Sequence, residues 1–287
     1  MRADCYFCHI KTVESLIAKF EPSNEVAEDF IFTIHEILND NRDMINPKLA
    51  TDIHRIAKKK LNVNDLYAGE KLNANNVLLA DYVHWKNYIN KSQKPFHTAV
   101  RLAVAGNIID YGAHSVNGDL IEQISGLLKS PLAIDQSKEL ESAISKATRI
   151  LYLGDNAGEI VFDRLLLETI QHPKVTFVTR GAPVINDITL DDAKQVGIDT
   201  ICKVISNGFD APSTLLEFCS EEFMQIYNEA DLIISKGQGN FEGLMHENHP
   251  NTFFLLIAKC QPIADMLDCN KNDMIVTQLK TNDSLIN

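Results

Sequence analysis

Two carboxylates and an amide draw attention first. Asp155 and Asn156 lie in Gly154-Asp155-Asn156-Ala157-Gly158-Glu159, and Asp187 ends Arg180-Gly181-Ala182-Pro183-Val184-Ile185-Asn186-Asp187. All three offer oxygen donors, the preference of a hard divalent cation such as Mg²⁺ or Mn²⁺, and they leave coordination positions open for water and substrate. Taken alone, Asn156 three residues before Glu159 is also a plain capping-box spacing. Lys236 adds an ammonium to Lys236-Gly237-Gln238-Gly239-Asn240, where Gly237 and Gly239 let bare backbone approach a ligand such as phosphate. In isolation, the same stretch is a glycine turn with a solvated lysine. Arg180 places a cation where a dinucleotide or adenosyl site carries an acidic residue, so it suits phosphate or pairs with a neighbouring carboxylate.

These loops need a scaffold that brings them together. From Arg149 onward, short apolar runs alternate with helical segments: Ile150 to Leu153, Val175 to Thr179, Cys202 to Ile205, Leu232 to Ser235, Phe253 to Ala258 and Met274 to Thr277. Continuous apolar strands separated by helices predict a mostly parallel sheet covered on both faces, a three-layer α/β/α sandwich. In such a sheet, ligands collect at the carboxyl ends of the strands, where the loops above fall. Before about residue 147 the pattern is helical: Val26, Phe30, Ile34 and Ile37 recur behind Pro22-Ser23, Asn46-Pro47 opens another helix, and further helices run through 78–89, 95–109 and 120–128. The expected organisation is a helical N-terminal subdomain, 1–147, followed by an α/β domain, 148–287.

Other groups carry weaker signals. Cys5-Tyr6-Phe7-Cys8-His9 spells a haem-attachment pattern, but without an export leader we discard haem; the pair is either half of a thiolate metal site, completed by Cys260 or Cys269, or two reduced thiols. His246 and His249, near Glu242 and Glu247, resemble a ligand pair, though the adjacent Pro250 favours a solvated loop. Asn107 and Asp110 interrupt an apolar run and need partners, in the core or in a site between the subdomains; unaided, the core reading is preferred.

Composition bounds the partners. A net charge of -12 repels nucleic acid and anionic membranes alike, and no apolar run reaches the ~20 residues of a membrane span. The expectation is a cytoplasmic protein whose six cysteines are reduced thiols or metal ligands rather than structural disulfides.

At Cys5 to Cys8, Ala105 to Gly112, Leu153 to Glu159, Arg180 to Thr189, Ser206 to Thr214 and Ile234 to Leu244, the sequence resembles the damage-control phosphatases, formerly domain-of-unknown-function family 89, in the prokaryotic-type subfamily with an N-terminal CxxC. The resemblance implies an α/β/α sandwich with a helical N-terminal part, and hydrolysis of small phosphorylated metabolites (sugar phosphates, or damaged cofactor- or nucleotide-like phosphates) assisted by Mg, Mn, Co or Ni. It puts the metal ligands on Asp155, Asn156 and Asp187, the phosphate-contacting lysine on Lys236 and a helical-segment asparagine on Asn107. Ser213 departs from the glycine of the family's Asp-Ala-Pro-Gly-Thr loop.

The expected reaction is phosphomonoester hydrolysis, with either water or Asp155 as the nucleophile and with Lys236 and loop N–H groups neutralising developing charge. An adenosylmethionine-dependent methyltransferase and a non-catalytic phosphometabolite sensor are the alternatives. The physiological substrate and the oligomeric state are not legible in the sequence.

Overall fold

The computed structural model describes residues 2–108, 120–247, 249 and 251–279. Asp110, Tyr111, Gly112 and Pro250 lie outside this set.

Three helices come first: α1 (Ala3–Phe20), α2 (Asn24–Asp40) and α3 (Asn46–Leu61). As the Pro22-Ser23 signal predicts, Ser23 caps α2, its side chain accepting from Val26 N at 3.4 Å. The next group is α4 (Ala68–Ala80), α5 (Tyr82–Asn90), α6 (Pro95–Ala105) and α7 (Leu120–Leu127). The helix expected over 78–89 is two helices that break at Asp81, and the one expected over 95–109 tightens to a 3₁₀ turn at Gly106–Ile108.

The remaining elements alternate: β1 (Ile134–Asp135), α8 (Ser137–Lys146), β2 (Ile150–Leu153), α9 (Glu159–Ile170), β3 (Val175–Thr179), α10 (Leu190–Val196), β4 (Lys203–Ser206), α11 (Glu221–Glu229), β5 (Leu232–Lys236), α12 (Gly237–Leu244), β6 (Thr252–Ile257), α13 (Gln261–Met266) and β7 (Met274–Gln278). They build one seven-stranded sheet in the order β1-β7-β6-β5-β2-β3-β4. All neighbouring pairs are parallel except β6 with β7. The chain steps outward from β2 through β3 to β4, then returns to lay β5 on the other side of β2. That reversal leaves a crevice between the carboxyl ends of β2 and β5, the place where open α/β sheets bind ligands.

Successive strand residues point to opposite faces, so each strand feeds two cores. Ile150, Tyr152, Phe177 and Ile234 pack under α4–α6 and α9, against Leu78, Trp85, Val100 and Phe162. Leu151, Leu153, Ile233 and Phe254 pack under α11–α13, against Phe223, Phe241 and Ile263. The chain is therefore a three-layer α/β/α sandwich. The first core draws on residues from both sides of position 147, and α4–α8 and β1 belong to the layers of the sandwich. Among the described residues, α1–α3 have a separate core, built from Val13, Leu16, Phe30, Ile34, Leu49 and Ile53, and form a cap. Two cationic clasps tie α3 to the sandwich: Arg55 forks onto Asp210, and Lys58 Nζ donates to Pro183 O at 2.9 Å. Among the described residues, no helix is long and apolar enough to cross a membrane.

The cap carries two buried histidines, His9 on α1 and His54 on α3. Burial pushes both imidazoles down from 6.5 to about 4, so they are neutral in the folded protein. His54 Nδ1 lies 2.7 Å from Ala50 O, which places the proton on Nδ1. Because the folded pKa lies below the unfolded one, this contribution to stability is complete above about pH 6.5 and is lost as pH falls toward 4. The full loss is about 3 kcal/mol per histidine. Urea titrations at pH 7.5 and 4.5 are expected to show a smaller acid-induced loss of stability in His9→Gln/His54→Gln than in the parent; equal losses in both proteins would contradict this account.

Candidate functional site

The floor of the crevice is made by the loops after β2 and β3, which are sewn together by their backbones. Ile188 N donates to Asp155 O at 2.9 Å, Ala157 N donates to Asn186 O at 2.9 Å, and Asn156 and Asp187 form an isolated antiparallel bridge. This pairing brings Asp155, Asn156 and Asp187 to one wall although 32 positions separate Asp155 from Asp187. The capping-box reading of Asn156 and Glu159 is not realised: Gly158 is the N-cap of α9, and Glu159 turns inward.

The side chains are held in a dense polar lattice. Asn107, fully buried at the end of α6, donates to Asp155 Oδ2 at 2.9 Å and to Glu159 Oε2 at 2.8 Å, while its Oδ1 accepts from Ile257 N at 3.1 Å. Asn156 Nδ2 donates to Asp155 Oδ2 at 2.6 Å and to Glu159 Oε2 at 3.2 Å, which leaves Oδ1 as the amide atom able to meet a cation. Arg180, only 2% exposed, donates through Nε to Asp187 Oδ1 at 2.6 Å, through Nη2 to Asp155 Oδ1 at 3.3 Å and through Nη1 to Asn240 Oδ1 at 2.8 Å. Of its two sequence readings, the guanidinium takes carboxylate pairing. Asn107 takes both of its readings at once, buried and bonded to the site.

Negative charge is nonetheless in excess here. Burial, followed by Glu159 and Asp187, drives the Asp155 carboxyl well above its ordinary value. Burial also raises Asp187, although Arg180 pulls it back. Two carboxylates that resist ionisation, with an amide oxygen beside them, are the environment a dication would relieve, so the donor set fits one. Among the described residues, no cluster of three or more His, Cys, Asp or Glu side chains is arranged to hold a metal ion. The set here relies on an amide as its third member.

Lys236 is placed differently from a lysine that grips a ligand. Its ammonium is completely buried beneath the floor, donating to Glu159 Oε1 at 2.6 Å, Asp163 Oδ1 at 2.5 Å and Ala103 O at 2.9 Å, so all three N–H groups are engaged. Burial alone would lower its pKa, but the attraction of Asp163 and Glu159 prevails and holds it charged. Asp163, also bonded by Tyr152 Oη at 2.7 Å, is raised by burial against the pull of that same ammonium.

Gly237 and Gly239 open α12 at the edge of the crevice. Gly237 has φ of 75°, and a Cβ there would sit 1.8 Å from Asp155 Oδ2, so only glycine serves both the backbone and the carboxylate. A Cβ on Gly239 would lie 2.0 Å from Pro212 O. Ser213, in place of the family's glycine, donates its Oγ to Gly239 O at 2.7 Å and fills the space left by the missing side chain of Gly243. The loop after β4 is thus fastened to the first turn of α12, which follows β5.

A cleft of about 150 Å³ lies between this floor and the cap, lined by Asp155, Asn156, Asp187, Gly239 and Lys259 below and by His9, Asn46 and His54 above. Lys259, just beyond β6, is close enough to lower the pKa of both Asp155 and Asp187. Sequence reasoning passed over Lys259, Asp163, Asn240, His9 and His54. Glu159 and Asp163 did leave a trace: two carboxylates four apart on an otherwise apolar stretch of α9 lie on one helix face and demand a buried cation.

The other sequence candidates lie elsewhere. His249 Nε2 is 3.1 Å from Ala230 O, and its ring contacts Tyr227; among the described residues, His246 and His249 belong to no group of three or more side chains that could hold a metal ion. Cys5, Cys8 and Cys260 line a neighbouring cavity, and Cys269 does not join them.

Comparison with known proteins agrees with this architecture. The damage-control phosphatase ARMT1-like domain matches residues 1–275. An uncharacterised protein of Methanocaldococcus jannaschii is 34% identical over 96% of this chain and 94% of its own. A damage-control phosphatase of Archaeoglobus fulgidus is 35% identical over 80% of this chain and 82% of its own. Another, from Pyrococcus horikoshii, is 41% identical over 66% of this chain and 67% of its own. The crystal structure of a DUF89 family protein from Pyrococcus horikoshii superposes with a TM-score of 0.87 at 31% identity, covering 98% of this chain and 99% of that one. With its sequence matched almost end to end and its sheet, helical layers and cap shared with a solved member, the chain belongs to the damage-control phosphatase ARMT1-like (DUF89) family.

Proposed function

We propose that this protein hydrolyses small phosphomonoesters in the cleft between cap and sheet, with a divalent cation held by Asp155, Asn156 and Asp187. The observation that carries the reading is two buried carboxylates and an amide oxygen on one wall of the cleft, with the cation Lys259 on the same cleft. Phosphatase relatives supply the reaction class. A bound dication (Mg²⁺, Mn²⁺, Co²⁺ or Ni²⁺) supplies Lewis acidity toward the phosphoryl oxygens.

The chain's own residues do the rest. Arg180 and Asn107 hold Asp155 from opposite sides, so its carboxylate needs no reorganisation when substrate arrives. Lys259 faces the ester and offsets its charge, and the N-terminal turn of α12, which reaches the cleft at Gln238 and Gly239, adds a positive dipole end. Lys236 acts one layer lower as a positioning group that fixes Glu159, which in turn orients Asn107 and Asn156. The attacking oxygen belongs either to water or to Asp155. Borohydride trapping separates the two, since attack by Asp155 passes through an acyl phosphate that is reduced to homoserine, whereas direct attack by water leaves Asp155 unmodified.

Asp155→Asn is expected to lower turnover of phosphate esters by about a thousandfold, while changing the stability of the metal-free fold by less than about 2 kcal/mol, because removal of a buried excess charge is offset by turning an amide N–H group toward Arg180 or toward Asn107 and Asn156. Phosphate-release assays and urea titrations read the two effects separately. Chelation is expected to abolish hydrolysis, and Mg²⁺ or Mn²⁺ to restore it; turnover that persists in excess chelator would end the metal reading.

Lys236→Met is expected to cost about 3–5 kcal/mol of stability by leaving Glu159 and Asp163 buried without a partner, with partial recovery in Lys236→Met/Glu159→Gln/Asp163→Asn. Chemical denaturation decides it: a Lys236→Met protein as stable as the parent contradicts the structural role.

A further inference from the structure

The cleft that holds Asp155 and Asp187 is small, about 150 Å³. A phosphoryl group and its first carbons fill that space, and a larger metabolite needs room beyond it. That room adjoins. A second lobe of about 580 Å³ shares Cys8, Asn46 and Gln238 with the cleft and continues outward between α1 and the start of α13. Gln238 stands at the junction, fixed by its side chain's bonds to Glu242 at 2.8 Å and to Lys259 N at 2.9 Å.

The lining of the outer lobe is chemically sorted. Phe7, Pro262 and the thiols of Cys5 and Cys260 form an apolar wall. Burial raises both thiols, so they remain neutral and add no negative charge. Lys11 from α1 and Lys271 from the segment before β7 complete the lobe. Among the described residues, neither lysine has an ion-pair partner, whereas Asp4, the lobe's one carboxylate, lies 3.9 Å from Arg2. Both lysines are exposed, and coming from distant parts of a chain whose net charge is -12 they put positive charge on the lining of this lobe.

From the contiguous lobes and the two unpaired lysines, we infer that the preferred substrates are phosphomonoesters whose short carbon body ends in a second anionic group, with the ester at Asp155 and the distal anion between Lys11 and Lys271. This rests on the phosphatase reading and adds a substrate class to it. Phe7 covers the carbon body, and Gln238 marks the passage between the lobes.

The test uses three esters in low salt with Mg²⁺ or Mn²⁺: ethyl phosphate, pentyl phosphate and pentane-1,5-diol bisphosphate. In the parent, kcat/KM for the bisphosphate is expected to exceed that for pentyl phosphate by about tenfold, through KM, beyond the roughly twofold statistical advantage of two reactive ends. In Lys11→Gln/Lys271→Gln the preference is expected to shrink to that statistical factor, whereas Lys203→Gln, distant from the lobe, keeps it. Calorimetry with pentane-1,5-bisphosphonate against pentylphosphonate gives the same comparison without turnover. If none of the esters is hydrolysed, the phosphatase reading fails, and the relative phosphonate affinities still decide the lobe. A parent protein without preference in calorimetry, or a preference that survives the double lysine substitution, overturns the inference.

Discussion

One buried ammonium organises this molecule. Lys236 ends β5, Glu159 and Asp163 project from α9, and Ala103 O comes from α6, so one strand and two helices meet at a single nitrogen. A charge taken out of water is tolerable only when its partners are close and its hydrogen bonds complete, and here both conditions hold. The cluster fixes more than stability. Glu159 passes the constraint on to Asn107 and Asn156, and both amides then grip Asp155. The geometry of the cleft floor is thus inherited from an ion cluster that the cleft itself never exposes.

Above this cluster the ratio is the same, two carboxylates to one buried cation. Arg180 is the principal cation among Asp155 and Asp187, and its guanidinium is divided between them and Asn240. Lys259 adds to it, yet burial still raises both carboxyls, which leaves the floor electrostatically frustrated. Frustration concentrated where loops converge, over a buried ion cluster, is the pattern of a binding surface set on a scaffold. Gly237 shows how little slack the arrangement has, since a single methyl group would occupy the position of the Asp155 carboxylate.

The sheet was readable because its strands are continuous apolar runs: six runs predicted between Ile150 and Thr277 correspond to β2–β7 within a residue or two at each end. The two-residue β1 and the antiparallel pairing of β7 escaped, the first because Ile134–Asp135 has no pattern and the second because strand direction depends on the connection, not on composition. In the site, Asp155, Asn156 and Asp187 were legible as a set, since donor chemistry and strand-end position are both written in the chain. The depth of Lys236 was not. A lysine beside two glycines reads the same whether it faces solvent or a buried Glu159–Asp163 pair, and only the packing of α9 against α6 distinguishes them. His9 and His54 were equally hidden, because nothing local tells that α1 and α3 close over loops more than a hundred residues away.

That separation has a bearing on how the protein is made. The bonds that complete the cleft join distant parts of the polypeptide: Asn107 to Ile257 across 150 positions, Ala103 to Lys236 across 133, and Asn46 to Glu242 across 196. Contacts of such long range form late, after the chain has lost most of its freedom. During synthesis from the N-terminus, α1–α3 emerge long before β5 and β6, and the roof waits for its foundation. Lys236 and Ile257 are translated long after α1–α3, so a misassembled copy lacks a finished cleft, and the capacity to act arrives only once these distant segments have met.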